Sequence, residues 1–267
     1  MPSTFVHGHT TRANNIRQHF LRYGGKGMPL ILVPGITSPA MLWDFVGERL
    51  GRVFDTYVID VRGRGLSETG DDLDYSLDAY AADVNGLARA LGLGKYVLVG
   101  HSMGARIAIR TARRHAEALE RIVLVDPPVS GPGRRPYPVP LAPLLDLLEK
   151  ARRGELWEVI RNGSQWSEHS TRSRAEWMHT CNRAAIETTY RNFHEEDVFQ
   201  DLPHLTVPSS LIVAGKGGTI QPDDVTEIRS LAPSMTIDTV EGAGHMIPFE
   251  DLEGFLVVMS KVLKVQL

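Results

Sequence analysis

Around residue 102 an apolar run, a five-residue turn and a helix-like run follow one another directly. Tyr96-Val97-Leu98-Val99 is the run and Gly100-His101-Ser102-Met103-Gly104 the turn. Met103 to His115 reads as a helix, with Met103, Ile107, Ala108 and Thr111 on one stripe. The turn fits G-x-S-x-G, the pattern in which a serine sits on a sharp strand-to-helix bend. The five letters alone arise by chance in about one chain of this length in ten, so the flanking strand and helix decide. Glycines border the serine because the bend brings the two backbones too close for a Cβ.

The rest of the chain alternates in the same way. Strands are expected at Asn15 to Tyr23 (paired with Thr4 to His9), Pro29 to Val33, Asp55 to Asp60, Tyr96 to Gly100, Arg121 to Val125, Ser210 to Ala214 and Thr236 to Val240. Helices are expected at Met41 to Leu50, Leu77 to Leu91, Met103 to His115, Asp223 to Leu231 and Asp251 to Leu263. Strands separated by helices predict an α/β fold with a mostly parallel sheet covered on both faces. Residues 127–204 interrupt the pattern, and a stretch that long is not a structureless loop. It opens with a Pro/Gly-rich linker and continues with helix-like runs at Leu141 to Arg153, Glu155 to Asn162, Thr171 to Cys181 and Ala184 to Phe199. The expected organisation is a core of residues 1–126 and 205–267, with residues 127–204 as a helical cap inserted after the sixth strand. Ligands of open α/β sheets bind outside the carboxyl ends of the strands, so the cap is expected to shape the pocket.

A serine hydroxyl needs a base to take its proton and a third group to orient that base. Of ten histidines, His245 alone follows the last strand on a glycine-rich turn, Glu241-Gly-Ala-Gly-His-Met-Ile-Pro. His101 adjoins Ser102 and is expected to point away from it. For the third member, the loop after Leu211-Ile-Val-Ala is the usual place, but Gly215-Lys-Gly-Gly-Thr219 holds no carboxylate. Asp223 and Asp224 suit the first turn of a helix. Asp126 ends the strand expected beside the elbow strand, so Ser102, His245 and Asp126 form the expected triad. Backbone N–H groups of Met103 and Ile36, the latter in Val33-Pro34-Gly35-Ile36-Thr37, are the expected oxyanion donors. Asp60-Val-Arg62-Gly63-Arg64-Gly65 reads as a structural loop whose arginines satisfy carbonyls or Asp60. The spacing shows neither a metal-ligand set nor a phosphate loop.

Composition narrows the partners. With 29 basic and 32 acidic residues the net charge is −3, which suggests no polyanion partner. A lone cysteine, Cys181, excludes an intrachain disulfide. There is no leader-like N-terminus and no apolar run of membrane-spanning length, so a cytoplasmic location without membrane partners is expected.

The order Val33-Pro34-Gly35, Asp60-Val-Arg-Gly-Arg-Gly-Leu-Ser, Gly-His-Ser102-Met-Gly and Gly-Ala-Gly-His245 resembles the α/β-hydrolase fold family over nearly the whole chain. Finer segments are similar to the N-formylmaleamate deformylase family of nicotinate breakdown and to the related (acetamidomethylene)succinate hydrolases. These segments are Leu32-Val-Pro-Gly-Ile-Thr-Ser-Pro, Val125-Asp-Pro-Pro-Val-Ser-Gly-Pro-Gly-Arg-Arg, Arg174-Ala-Glu-Trp-Met-His-Thr-Cys and Gly244-His-Met-Ile-Pro, together with the acid at Asp126. The resemblance implies hydrolysis of an imide-like C–N bond in a small carboxylate-bearing substrate, through a formyl-serine, without metal or organic cofactor. A tight acyl pocket is then expected, and an arginine fork for the carboxylate: Arg174 first, with Arg134 and Arg135 behind it. Trp177 is a candidate pocket wall. A carbon–carbon hydrolase of ring-cleavage dienones, a small-ester carboxylesterase and a non-catalytic receptor on the same fold are the alternatives.

Overall fold

Two adjacent asparagines start the sheet. Asn14 and Asn15 both adopt positive φ, 48° and 63°, the backbone of a two-residue hairpin turn whose twist matches the flanking strands. They join β1 (Phe5–Ala13) to β2 (Ile16–Tyr23) in antiparallel register, Ala13 opposite Ile16. The computed structural model describes residues 2–267. β1 runs four residues past the expected end at His9, because its mixed His, Thr and Arg pattern is that of an exposed edge strand.

Six further strands complete an eight-stranded sheet of order β1-β2-β4-β3-β5-β6-β7-β8. They are β3 (Pro29–Val33), β4 (Asp55–Ile59), β5 (Tyr96–His101), β6 (Leu119–Val125), β7 (Ser209–Ala214) and β8 (Thr236–Val240). β2 meets β4 antiparallel; from β4 to β8 every pairing is parallel. Strands covered on both faces read as unbroken apolar runs, and β4, β5 and β7 are buried along their whole length. Side-chain alternation splits the core in two. Ile31, Val33 and Leu98 join the cluster under α2 (Leu77–Ala90) and α3 (Met103–Arg114), while Leu30, Leu32, Val97 and Val99 join the cluster under α1 (Asp44–Leu50) and the C-terminal helix. Ile107, wholly buried on α3, is one anchor of the first cluster; its truncation to alanine is expected to cost about 2–5 kcal/mol.

Between β6 and β7 lie four helices: α4 (Leu141–Arg152), α5 (Leu156–Ile160), α6 (Glu168–Trp177) and α7 (Arg183–Glu195). α6 begins earlier than expected because Ser167 caps it, accepting from the Ser170 N–H at 3.1 Å. α7 stops at Glu195, where Glu196 turns extended. Two buried arginines fasten this insertion to the sheet-bearing part. Arg106 of α3 donates to the carbonyls of Pro128, Ser130, Asn192 and Glu196, thereby gripping both ends of the stretch. Arg64 donates to Thr189 and to the Ala185 carbonyl on α7. After β7 come α8 (Pro222–Leu231), β8, the short α9 (Ile247–Glu250) and α10 (Leu252–Leu263). No helix among the described residues is long and apolar enough to cross a membrane.

Candidate active site

Ser102 stands between β5 and α3 with φ 55° and ψ −118°, a backbone that an L-residue adopts only where its surroundings enforce it. The enforcement is visible in the flanking glycines. A Cβ on Gly104 would collide with the Val33 carbonyl, and one on Gly100 with the Gly104 carbonyl. β5 and β6 run in register with His101 opposite Val125, and the Ser102 N–H donates to the Val125 carbonyl at 2.8 Å. The residues that follow each strand, Ser102 and Asp126, therefore emerge side by side.

His245 bridges them. Its Nε2 is 3.1 Å from Ser102 Oγ, and its Nδ1 is 2.6 Å from Asp126 Oδ2. Asp126, fully buried with φ 43°, also accepts the Thr219 N–H on Oδ2 at 2.8 Å. Burial opposes its ionisation, but the hydrogen bond and charge of His245 and the Thr219 N–H outweigh that, so its pKa lies below the ordinary carboxyl value. The structure thus joins Ser102, His245 and Asp126 in one hydrogen-bonded line. In that line a hydroxyl can pass its proton to an imidazole that a carboxylate orients. Asp223 and Asp224 lie elsewhere, in the first turn of α8. Asp224 closes a capping box with Gln221 and pairs with Arg135.

The loop after β3 packs against the same serine, since a Cβ on Gly35 would come 3.5 Å from Ser102 Cβ. Among the described residues, neither the Ile36 N–H nor the Met103 N–H donates a hydrogen bond to protein. Both are available to an oxygen beside Ser102. Arg64 holds this loop through its Nε, which donates to the Ile36 carbonyl at 3.1 Å. Arg62 pairs with Asp83. Neither arginine lines the cavity, which agrees with the structural reading of their loop.

A cavity of about 640 Å³ opens over Ser102 and His245. Val139, Leu144, Leu147, Val159 and Ile160 form its apolar wall, all from the insertion. The cavity is wider than the tight acyl pocket expected for a formyl group. Arg174 is its one arginine or lysine, and among the described residues no carboxylate pairs with it. The guanidinium lies 5.4 Å from the Trp166 ring centre. Burial draws its pKa below the ordinary value, with Cys181 and Tyr137 opposing that shift. Tyr137, buried in the wall, is pushed up to about 12 by burial, against a lowering from the Ser102 hydroxyl.

Three expected contacts are not brought together here. Arg134 is taken up by Glu227 and Asp197 and stacks on Phe199, with its guanidinium 3.7 Å from the ring centre. Arg135 clamps Asp224 and the Thr219 carbonyl. Both ion pairs leave no free fork for a ligand. Trp177 ends α6 away from the cavity, and Trp166, just before the cap residue of that helix, lines it instead. Sequence gives no signal for Trp166 and Tyr137, because both lie in linker segments, where neither period 2 nor period 3.6 marks a facing side.

Comparison with known proteins agrees with this geometry. The alpha/beta hydrolase family pattern matches residues 30–256. An N-formylmaleamate deformylase of Pseudomonas putida is 55% identical over 262 residues, covering 98% of this chain and 98% of its own. A 2-(acetamidomethylene)succinate hydrolase of Mesorhizobium japonicum is 35% identical over 106 residues, 40% of this chain and 38% of its own. The crystal structure of a serine-to-alanine variant of N-formylmaleamic acid deformylase, also from Pseudomonas putida, matches with TM-score 0.91 and 51% identity, over 95% of this chain and 100% of that one.

Proposed function

This chain belongs to the alpha/beta hydrolase family, and we propose that it hydrolyses N-formylmaleamate to formate and maleamate with Ser102, His245 and Asp126. One observation carries the reading: an unpaired arginine, Arg174, shares a cavity with a serine already hydrogen-bonded to a carboxylate-oriented imidazole. That arrangement suits an acyl donor bearing an anion, and the full-length likeness to deformylases names one.

The chemistry follows from the positions. Ser102 Oγ attacks the formyl carbon while His245 Nε2 takes its proton. The former carbonyl oxygen becomes an oxyanion facing the N–H groups of Ile36 and Met103. When the C–N bond breaks, the electron pair stays on nitrogen, and His245 returns its proton there. The leaving nitrogen is already bonded to a second acyl carbon, which delocalises the departing charge and makes it a better leaving group than a simple amine. Maleamate departs and Ser102 carries a formyl ester. Water then attacks that ester, His245 takes the water proton and passes it to Ser102 Oγ, and formate leaves. Arg174 holds the substrate carboxylate at the far end through a charge-assisted fork. The substrate is a small carboxylate-bearing molecule, and we place the protein in the cytoplasm.

A second reading, a small-ester carboxylesterase, is favoured by the apolar wall of the cavity. Formate release from N-formylmaleamate, measured beside a panel of simple amides and short p-nitrophenyl esters, separates the two. A kcat/KM for N-formylmaleamate well above every ester is the expected result; preference for an apolar ester overturns it.

A further inference from the structure

We propose that His101 and Glu250 are positioning residues that fix the main chain of His245, and so the place of its imidazole, from two sides. The proposal rests on His245 being the base of the reaction above.

His245 sits in a turn between β8 and α9 with Gly242 and Gly244 just before it, a segment with little stiffness of its own. Three hydrogen bonds remove that freedom. The Glu250 carboxylate accepts from the Gly244 N–H at 2.8 Å and from the Met246 N–H at 3.3 Å, bracketing His245 on both sides. The His245 carbonyl accepts from His101 Nε2 at 2.9 Å. His101 is chain neighbour to Ser102, so this bond ties the base directly to the strand end that carries the nucleophile.

The His101 ring has no other evident task. It is 2% exposed, tilted against Trp43 and His245 with ring centres 5.0 Å apart in each case. Its Nδ1 is buried with no partner among the described residues. The bond to a carbonyl requires the hydrogen on Nε2, and burial together with the nearby His245 lowers the His101 pKa to about 3. An uncharged donor suits this place, because a second cation would repel the imidazolium that His245 becomes in each half-reaction. Glu250 is exposed but its helix is not loose: Phe249 packs on Trp43, Phe45 and Trp166 with ring centres 5.1, 5.0 and 4.6 Å apart.

The clamp acts in both half-reactions: the imidazole must stand in place to take the Ser102 proton, the step that labelling reads, and later the proton of water. Once Ser102 Oγ carries the acyl group, it is no longer a proton donor to His245. The imidazole must still wait in place for water, and displacements near 1 Å cost about 100-fold.

The test is the second-order rate at which a small fluorophosphonate labels Ser102, followed with thermal melting. N-formylmaleamate is not needed, so a wrong substrate and a wrong clamp show up separately. His101→Phe keeps a buried ring and loses the donor; labelling is expected to fall about 10–100-fold while the melting curve stays cooperative. His101→Gln can return an N–H to the same carbonyl and is expected to recover most of that loss. Glu250→Ala, at an exposed position, is expected to slow labelling in the same direction and carries the test if His101→Phe does not fold. Labelling at the wild-type rate in folded His101→Phe or in Glu250→Ala overturns the proposal, as does an equal loss in His101→Phe and His101→Gln.

Discussion

Thr219 grips Asp126 and the residue after it. Its N–H donates to Asp126 Oδ2 at 2.8 Å, and its hydroxyl lies 2.7 Å from the Pro127 carbonyl and 2.9 Å from that of Asp126. Thr219 belongs to the loop after β7, the usual place for the acid of such a triad. Here that loop contributes no carboxylate and instead receives one from β6. Gly218 makes room for it, since a Cβ there would collide with the Asp126 carboxylate.

Ser102→Ala, His245→Ala and Asp126→Ala are each expected to lower kcat by about 10⁴-fold or more while the fold is retained, since triad members act as a unit. Asp223→Ala and Asp224→Ala are expected to keep near-normal turnover. Asp224→Ala additionally loses a helix cap, at about 1 kcal/mol. Steady-state rates and urea melts on the five variants check this, and an essential Asp224 with a dispensable Asp126 reverses the acid assignment.

Arg174→Gln is expected to lower kcat/KM for N-formylmaleamate by about 100-fold, mostly through KM, because a charge-assisted fork is lost. The methyl ester of the substrate, which lacks the anion, is expected to show little difference between wild type and variant. Arg134→Gln and Arg135→Gln, whose guanidinium groups are committed to Glu227 and Asp224, are expected to leave kcat/KM within a factor of two. A loss of equal size for ester and acid would remove Arg174 from carboxylate binding.

Acid is expected to weaken the fold through His101. Its pKa falls from an ordinary 6.5 to about 3 in the folded protein, so between those values the unfolded chain holds a proton that the folded one refuses. Stability from this site is therefore fully present above pH 6.5 and declines toward pH 3, by up to about 1.4 kcal/mol per pH unit. His101→Phe removes the linkage. Urea denaturation between pH 4.5 and 7.5 should show a shallower pH slope for the variant than for wild type; equal slopes would mean that folding does not lower the His101 pKa.

Gly104→Ala is expected to destabilise the protein by about 3 kcal/mol or more, because the new methyl meets the rigid backbone of Val33 and Pro34. Ala105→Gly, one residue on in the same helix, lacks that collision and is expected to cost less. Thermal melts of the pair test whether the elbow tolerates any widening.

Legibility followed periodicity. The buried parallel strands and the elbow could be read from runs such as Leu30 to Val33 and Tyr96 to Val99, since both faces of those strands demand apolar residues. Asp126 was legible from its place at a strand end. Arg174 stood out as a cation beside family-like residues, but its separation from Arg134 and Arg135 depended on which acids each would meet. Glu227 and Asp224 lie about ninety positions further along the chain, a distance that no local pattern spans. Trp166 over Trp177 turned on where α6 begins, and Ser167 as a cap shifts that start by three residues from the expected Thr171. The role of Glu250 was hidden because it acts through its neighbours' N–H groups rather than through a recognisable motif.

The position of the insertion has a consequence for how such a protein can be altered. Ser102 and Asp126 both precede α4, and His245 follows α7, so the stretch from α4 to α7 contributes walls and Arg174 but no member of the hydrogen-bonded line. A foreign helical segment grafted there could retarget the chemistry to other acyl donors. It would have to offer oxygens where one Nη of Arg64 and one of Arg106 now find theirs on α7 and just after it, or buried N–H groups would be left without partners beneath the graft.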